Sequence, residues 1–224
     1  MELLTLAAGS PLAHAGIGLV LGAVHACDAD HVMTVTACTR RGAAPRTALG
    51  YGLRWSLGHG LAVMLSGVVL AALGLGFPQL LGTAAEVCVA TLLAGLGLWL
   101  VAGALRGRSA GHTALHRRLA AARGSRGIVV LGVLHGLAGA APVIALIPLA
   151  ARLDPWFTGA YLLCFSLGVV VAMLTIATLL GGASIAARRC GAALERVLNA
   201  AVGAGALAVA LRILLEVLHD VGAA

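Results

Sequence analysis

The chain has 224 residues, of which 61% are hydrophobic and only 10% are charged. This balance, with a mean hydropathy of +1.03, excludes an ordinary water-soluble domain. The net charge of +7 would suit nucleic acid, but the arginines fall in alternate connections between apolar segments. We therefore attribute the basicity to membrane topology and expect no nucleic-acid partner.

Six apolar segments are long enough to cross a bilayer. They cover about residues 11–35, 48–74, 79–105, 127–151, 156–183 and 196–218. Only short connections lie outside them, and the abundant Gly and Ala suit close helix packing. The sequence predicts an all-α integral membrane protein with six transmembrane helices, which form a single membrane domain over residues 1–224.

The arginines also predict the orientation of these spans. Thirteen of the fifteen fall in the first, third and fifth connections, which the positive-inside rule places in the cytoplasm. We expect a multi-pass protein of the plasma membrane with both termini on the non-cytoplasmic side and a cytoplasmic basic connection over 106–126. That connection carries His112 and His116 at a spacing that suits either a metal or an interfacial surface helix.

The first segment carries two Asp and two His within seven residues, His25, Asp28, Asp30 and His31. Each ionised side chain near the centre of a membrane helix costs roughly 2.5–3.5 kcal/mol, so such residues usually have a function. Imidazole and carboxylate are also ligands of divalent transition metals. We predict that all four residues bind a metal ion; the alternative is a polar patch that holds helices together.

The spacing of these residues leaves their geometry open. On a regular helix His25, Asp28 and His31 share one face, whereas Cys27 and Asp30 point away from it. The two histidines would then lie about 9 Å apart along the axis, with Asp28 between them. Alternatively, the helix breaks near Asp28–Asp30 and both carboxylates reach the ion, or Asp30 orients one of the imidazoles.

Later segments bring further polar groups to a similar depth. His59 lies near the middle of the second span and His135 near the middle of the fourth. We predict both as further metal ligands, with Ser56 and Ser166 in supporting positions. A single intramembrane histidine is often a packing residue, which is the alternative for His135.

The two halves of the chain match at an offset of 110 residues. The matches are Leu21-Gly22 with Leu131-Gly132, His25 with His135, and Ser56-Leu57-Gly58 with Ser166-Leu167-Gly168. Three spans per copy is an odd number, so the second copy would cross the membrane in the opposite sense. We predict two inverted-topology repeats, over about 11–105 and 127–218, a common architecture of secondary transporters.

The stretch from His25 to His31, H-A-C-D-A-D-H, has the form H-x-x-x-x-D-H. It resembles the signature of the nickel/cobalt transporter superfamily, and Ser56-Leu57-Gly58-His59 resembles that family's second motif. Leu134–Gly139 and Phe165–Gly168 are more similar to the short urease-accessory UreH-type branch. The best-known members of the superfamily have eight spans, two more than we predict here.

This resemblance implies a permease, and not an enzyme, whose transported substrate is Ni²⁺ or Co²⁺ and which has no cofactor of its own. Uptake would be driven by the membrane potential or a proton gradient. The expected partners are the ion, the bilayer and nickel enzymes such as urease that receive the metal. Export and a homo-oligomeric state are left open. The competing class is an intramembrane metal-dependent enzyme, although the chain has no H-E-x-x-H motif.

Overall fold

The computed structural model describes residues 11–39, 45–107, 125–140 and 155–222. Over these ranges the chain is all-helical, with seven helices and no strand, which confirms the predicted all-α class. The helices are α1 Pro11–His25, α2 Ala29–Thr39, α3 Pro45–Leu73, α4 Gln79–Leu105, α5 Ser125–Ala138, α6 Pro155–Arg189 and α7 Ala192–Gly222.

Four helices, α3, α4, α6 and α7, are long and apolar enough to cross a membrane. Shorter apolar helices cover Ala15–His25 in α1 and Arg126–Ala138 in α5. Large apolar side chains such as Leu57, Leu61 and Leu65 are exposed on the outside of the bundle, where lipid would cover them. These features support an integral membrane protein with several spans, while the number six stays a prediction.

The first apolar segment is interrupted at its polar cluster, so of the two geometries that the sequence left open the structure has the broken helix. α1 ends at His25 and α2 begins at Ala29. The N–H groups of Cys27 and Asp28 donate to carbonyls three residues back, at 2.9 and 3.0 Å, which is the spacing of a tight 3₁₀ turn. The N–H of Val32 then donates to the Asp28 carbonyl at 3.0 Å and starts the new helix.

The short helix α2 lies inside the bundle, where it contacts α3, α4, α6 and α7. Its residues His31, Thr34 and Val35 are all buried. Asp30 lies in its first turn, where the positive end of the helix dipole favours a carboxylate. The surrounding helices therefore shield the interrupted backbone from lipid, which irregular structure at membrane depth requires.

Glycines permit the closest contacts between helices. α1 packs against α6, and α3 packs against α5. A Cβ atom added at Gly22 would collide with the Phe165 carbonyl, and one at Gly132 would collide with the Trp55 carbonyl. Both pairs of helices thus depend on a missing side chain to bring their backbones together.

The offset of 110 residues relates these contacts to one another. Gly22 of the first half is equivalent to Gly132 of the second, and Trp55 of the first half is equivalent to Phe165 of the second. The contact of Gly22 with Phe165 is therefore equivalent to the contact of Gly132 with Trp55. A second set follows the same rule, because Gly58 meets the Val129 carbonyl as Gly168 meets the Leu19 carbonyl. Helix α1 of the first half therefore packs on α6 of the second half in the same way that α5 of the second half packs on α3 of the first.

We predict that Gly22→Ala and Gly132→Ala each destabilise the fold. The added methyl group has only backbone to displace, so we expect a cost of about 1–3 kcal/mol in the free energy of unfolding. Gly16→Ala is the matched control in α1, because nothing lies within 4 Å of its added Cβ. Unfolding titrations in mixed micelles measure all three; equal stability of the Gly16 and Gly22 variants would contradict the prediction.

Candidate metal centre

His25, His31 and His59, here called the histidine triad, lie together inside the bundle. One ring nitrogen from each lies within 4.8 Å of the other two. The ring centroids are 4.6 Å apart for His25 and His31, 5.2 Å for His31 and His59, and 5.4 Å for His25 and His59. His31 and His59 are buried and His25 is half-buried, so the triad is enclosed by protein.

The helix break brings the triad together. His25 ends α1, His31 lies in the first turn of α2, and His59 lies near the middle of α3. On a continuous helix the first two would be about 9 Å apart along the axis. The turn between the helices instead places the imidazoles of His25 and His31 in edge contact.

The spacing within the triad is close to that of a metal site. His31 Nε2 and His59 Nε2 are 3.3 Å apart, and two nitrogens bound tetrahedrally at 2.0–2.1 Å would be about 3.3–3.4 Å apart. The nitrogens of the triad lie within 4.8 Å of one another, so the wider separations would have to shrink by up to roughly 1.4 Å around such an ion. The triad can therefore supply three imidazole ligands and leave a fourth position open.

The absence of a side chain at Gly139 leaves space beside the His25 imidazole. A Cβ added at Gly139, just after α5, would lie 3.1 Å from Nε2 of His25. That nitrogen is buried and has no hydrogen-bond partner among the residues that the structure describes. The missing side chain at Gly139 thus leaves space at His25 Nε2.

Each of the two predicted carboxylate ligands is hydrogen-bonded to a histidine of the triad. Asp28 Oδ2 lies 2.8 Å from Nδ1 of His25, and Asp30 Oδ1 lies 2.7 Å from Nδ1 of His31. The Asp28 side chain is 55% exposed and that of Asp30 is 21% exposed. Both carboxylates therefore contact the outer edges of imidazole rings whose other nitrogens face the triad or the space beside it.

His135 lies beside the triad, with its ring centroid 5.6 Å from that of His31. Its Nδ1 donates to the Leu131 carbonyl at 2.8 Å. Its Nε2 therefore accepts a hydrogen bond from the Thr34 hydroxyl at 3.0 Å. Both ring nitrogens of His135 are therefore hydrogen-bonded. His135 could bind a metal ion only if its hydrogen bond with Thr34 broke, and its role as a ligand stays a prediction.

The remaining predicted residues have simpler surroundings. Ser56 is buried and donates to the Gly52 carbonyl of its own helix at 2.8 Å. Ser166 is buried, and its hydroxyl has no partner within the described part of the chain. Cys27 is exposed. His112 and His116 lie outside the described residues.

Sequence reasoning missed three residues that contact these histidines. The Trp55 indole stacks on the His59 ring at 5.1 Å, the Phe165 ring lies 5.5 Å from that of His25, and Thr34 binds His135. Trp55 and Phe165 occupy equivalent positions at the offset of 110, a signal that the sequence did contain. The polar partner Thr34 gave no such signal.

A cavity of about 740 Å³ connects the triad with the ends of two long helices. His25, Asp28, Asp30 and His31 line one part of it. The start of α4 and the end of α7 line another part, with Glu86, Arg212, Glu216, His219 and Asp220. Arg212 donates to Glu216 at 2.8 Å, so the five carboxylates of the lining outweigh its one guanidinium and attract cations.

Comparisons with known proteins found one distant relative. The chain is 25% identical over 171 residues to the urease accessory protein UreH of Bacillus sp. (strain TB-90), which covers 74% of this chain and 75% of that protein. No family model matches the chain, and no solved structure matches it significantly. The similarity is to an accessory protein and not to an enzyme, and it agrees with the superfamily resemblance without selecting a branch.

We predict that a paramagnetic ion bound by the triad quenches the fluorescence of Trp55, whose ring lies 5.0 Å from that of His31. In a Trp99→Phe/Trp156→Phe protein, which keeps only Trp55, Ni²⁺ should quench most of the emission in a saturable manner. Adding His31→Ala should remove the saturable phase. Unchanged quenching in that variant would place the ion elsewhere.

Proposed function

We propose that the protein is a permease for divalent transition-metal ions, Ni²⁺ or Co²⁺, of the nickel/cobalt transporter superfamily. The observation that carries this proposal is the histidine triad, three imidazoles gathered at a helix break inside an apolar bundle. Intramembrane histidines that face one another and a cavity are typical of ion pathways. The distant similarity to a urease accessory protein supports nickel as the cargo.

We further propose six spans arranged as two inverted repeats. The glycine contacts related by 110 residues support this arrangement, because both halves use the same positions to pack on each other. α1 and α2 would together form the first span, and α5 would begin the fourth. Broken helices at the binding site are a feature of many transporters with such repeats.

The proposed orientation determines the side of the membrane to which the cavity opens. If both termini are non-cytoplasmic, the start of α4 and the end of α7 lie on the non-cytoplasmic side, and the cavity between them opens there. A dication that enters from this side gains roughly 4.6 kcal/mol from a membrane potential of 100 mV. We therefore propose uptake, with no need for an ATP-hydrolysing module.

The affinity expected of the triad is low enough for a transported ion to be released again. Three neutral imidazoles with an open position bind less tightly than a closed four-ligand site, and conduction requires release as well as binding. His135 and Ser166 are outside the cavity lining, and we propose them as further donors for the ion after the triad. Affinity alone would favour Cu²⁺ over Ni²⁺, so selection must come from geometry and metal supply.

Flux into proteoliposomes tests this function. With an inside-negative potential, we expect saturable uptake of radioactive Ni²⁺ or Co²⁺ by the wild type and its loss in His31→Ala and His59→Ala, because each variant removes a ligand. Thr175→Val is the control, since the exposed Thr175 hydroxyl bonds only within its own helix. Uptake at the wild-type rate by a protein that carries both His31→Ala and His59→Ala would rule out the triad as the transport site.

The acidic cavity predicts a salt-dependent step in uptake. Glu86→Gln removes one carboxylate of the lining, so the Ni²⁺ concentration for half-maximal uptake should rise roughly 3- to 10-fold at low ionic strength. The effect should shrink at high salt because ions screen the cavity charge. Glu195→Gln removes a carboxylate of α7 outside the lining and should change little. Equal effects of the two variants would argue against the cavity as the entry path.

A further inference from the structure

We propose that Asp28 and Asp30 are positioning residues that orient His25 and His31, and that neither carboxylate binds the metal. The inference rests on the proposed function in one respect, namely that the triad is the metal site. It assigns different roles to the residues of the H-x-x-D-x-D-H stretch. The imidazoles supply the ligand atoms, and the carboxylates determine which nitrogen each imidazole offers.

The hydrogen bonds determine the tautomers. An ionised carboxylate can only accept hydrogen bonds, and a neutral imidazole carries a single N–H. Because Asp28 and Asp30 contact Nδ1 of His25 and His31 at 2.8 and 2.7 Å, the proton of each neutral ring lies on Nδ1. The lone pair that can bind a metal is then on Nε2 in both rings.

The free nitrogens are located where a metal ion would need them. Nε2 of His31 lies 3.3 Å from Nε2 of His59. Nε2 of His25 is buried and has no partner among the described residues, and the glycine at 139 leaves space next to it. The carboxylates therefore hold the His31 ring with Nε2 toward His59 and the His25 ring with Nε2 in the buried space beside Gly139.

The same geometry separates the carboxylates from the ion. Nδ1 and Nε2 lie on opposite sides of the imidazole ring, so an ion 2.0–2.1 Å from Nε2 would be about 6–7 Å from an oxygen bonded to Nδ1. Even the second oxygen of that carboxylate would stay roughly 4 Å or more away, about twice the length of a metal–oxygen bond. Asp28 and Asp30 cannot coordinate this ion while they keep their histidine bonds.

The helix break explains why both carboxylates are available for this task. Asp28 follows α1 by three residues, so it folds back onto His25, and its carbonyl accepts the first hydrogen bond of α2. Asp30 lies in the first turn of α2, directly before His31. The two negative charges thus lie at the start of α2, where the helix dipole stabilises them, and they offset the two charges of the ion.

The triad also contains an internal comparison. His59 has no carboxylate neighbour, and its Nδ1 is buried without a hydrogen-bond partner in the described ranges. Its proton is placed by His31 instead, because the unprotonated His31 Nε2 lies 3.3 Å from His59 Nε2 and accepts a hydrogen bond from it. The inference therefore predicts that in the metal-free protein His59 carries its proton on Nε2, unlike His25 and His31, and that this proton leaves Nε2 when an ion binds there.

Nitrogen NMR of ¹⁵N-histidine in the metal-free full-length protein tests the tautomers without any metal. His25 and His31 of the wild type should carry their proton on Nδ1. Asp30→Asn keeps an acceptor oxygen and should preserve the Nδ1–H form of His31, whereas Asp30→Ala should lose it. Asp28→Asn and Asp28→Ala make the same comparison for His25, with Glu195→Gln as the control.

Metal binding provides the second readout, through Trp55 quenching by Ni²⁺. Asp30→Ala should weaken binding by about 10- to 100-fold, as loss of an orienting carboxylate typically does. Asp30→Asn should recover a large part of that loss, and X-ray absorption should count three imidazoles per Ni²⁺ in both the wild type and Asp30→Asn. Asp28 is more exposed than Asp30, so its variants should show the smaller effect.

Several results would overturn the inference. A wild-type His31 protonated on Nε2 would do so, and this measurement does not depend on whether any variant folds. So would an X-ray absorption spectrum of the wild type that requires a carboxylate oxygen bonded to Ni²⁺, because Asp28 or Asp30 would then be a ligand. A wild type with the expected tautomers but no Ni²⁺ binding would contradict the proposed function and leave the orienting bonds supported.

Discussion

The interruption of the first apolar segment between His25 and Ala29 is the constraint on which the site depends. A continuous helix would hold His25 and His31 about 9 Å apart along its axis, too far to share an ion without a third ligand between them. A broken backbone at membrane depth must satisfy its freed polar groups within the protein. The tight turn does so with short-range hydrogen bonds, and four helices packed around α2 exclude lipid from it.

Charge balance follows from the same break. With its imidazoles neutral, as metal binding requires, the triad region would carry the negative charge of the two carboxylates, which would be costly in hydrocarbon. Each carboxylate accepts a hydrogen bond from a histidine and lies at the start of α2, and the cavity gives Asp28 access to solvent. A bound dication would neutralise the two carboxylates, so their charge favours a cation of charge two at this site.

The sequence was sufficient to select the residues of the site but not to arrange them. His25, His31 and His59 stand out because each is a polar group in an apolar segment, and all three meet in the structure. The polar cluster allowed a break near Asp28–Asp30, but with no Gly or Pro between His25 and Ala29 the sequence did not decide between a broken and a continuous helix. The pairing of Thr34 with His135, 101 residues away, depends on tertiary packing.

The packing of the two halves is symmetric while their chemistry is not. Trp55 and Phe165 are equivalent at the offset of 110, and both flank the triad, one against His59 and the other against His25. The equivalents of Asp28 and Asp30 are Ala138 and Ala140, so the second half has no carboxylates at these positions, and its charged residues, such as Glu216 and Asp220, line the other part of the cavity. In the proposed orientation an ion meets carboxylates on the way in and only the neutral donors His135 and Ser166 beyond the triad. Attraction on entry and weaker binding afterwards let an ion both enter and leave the pathway, as conduction requires, and the membrane potential sets the net direction of movement.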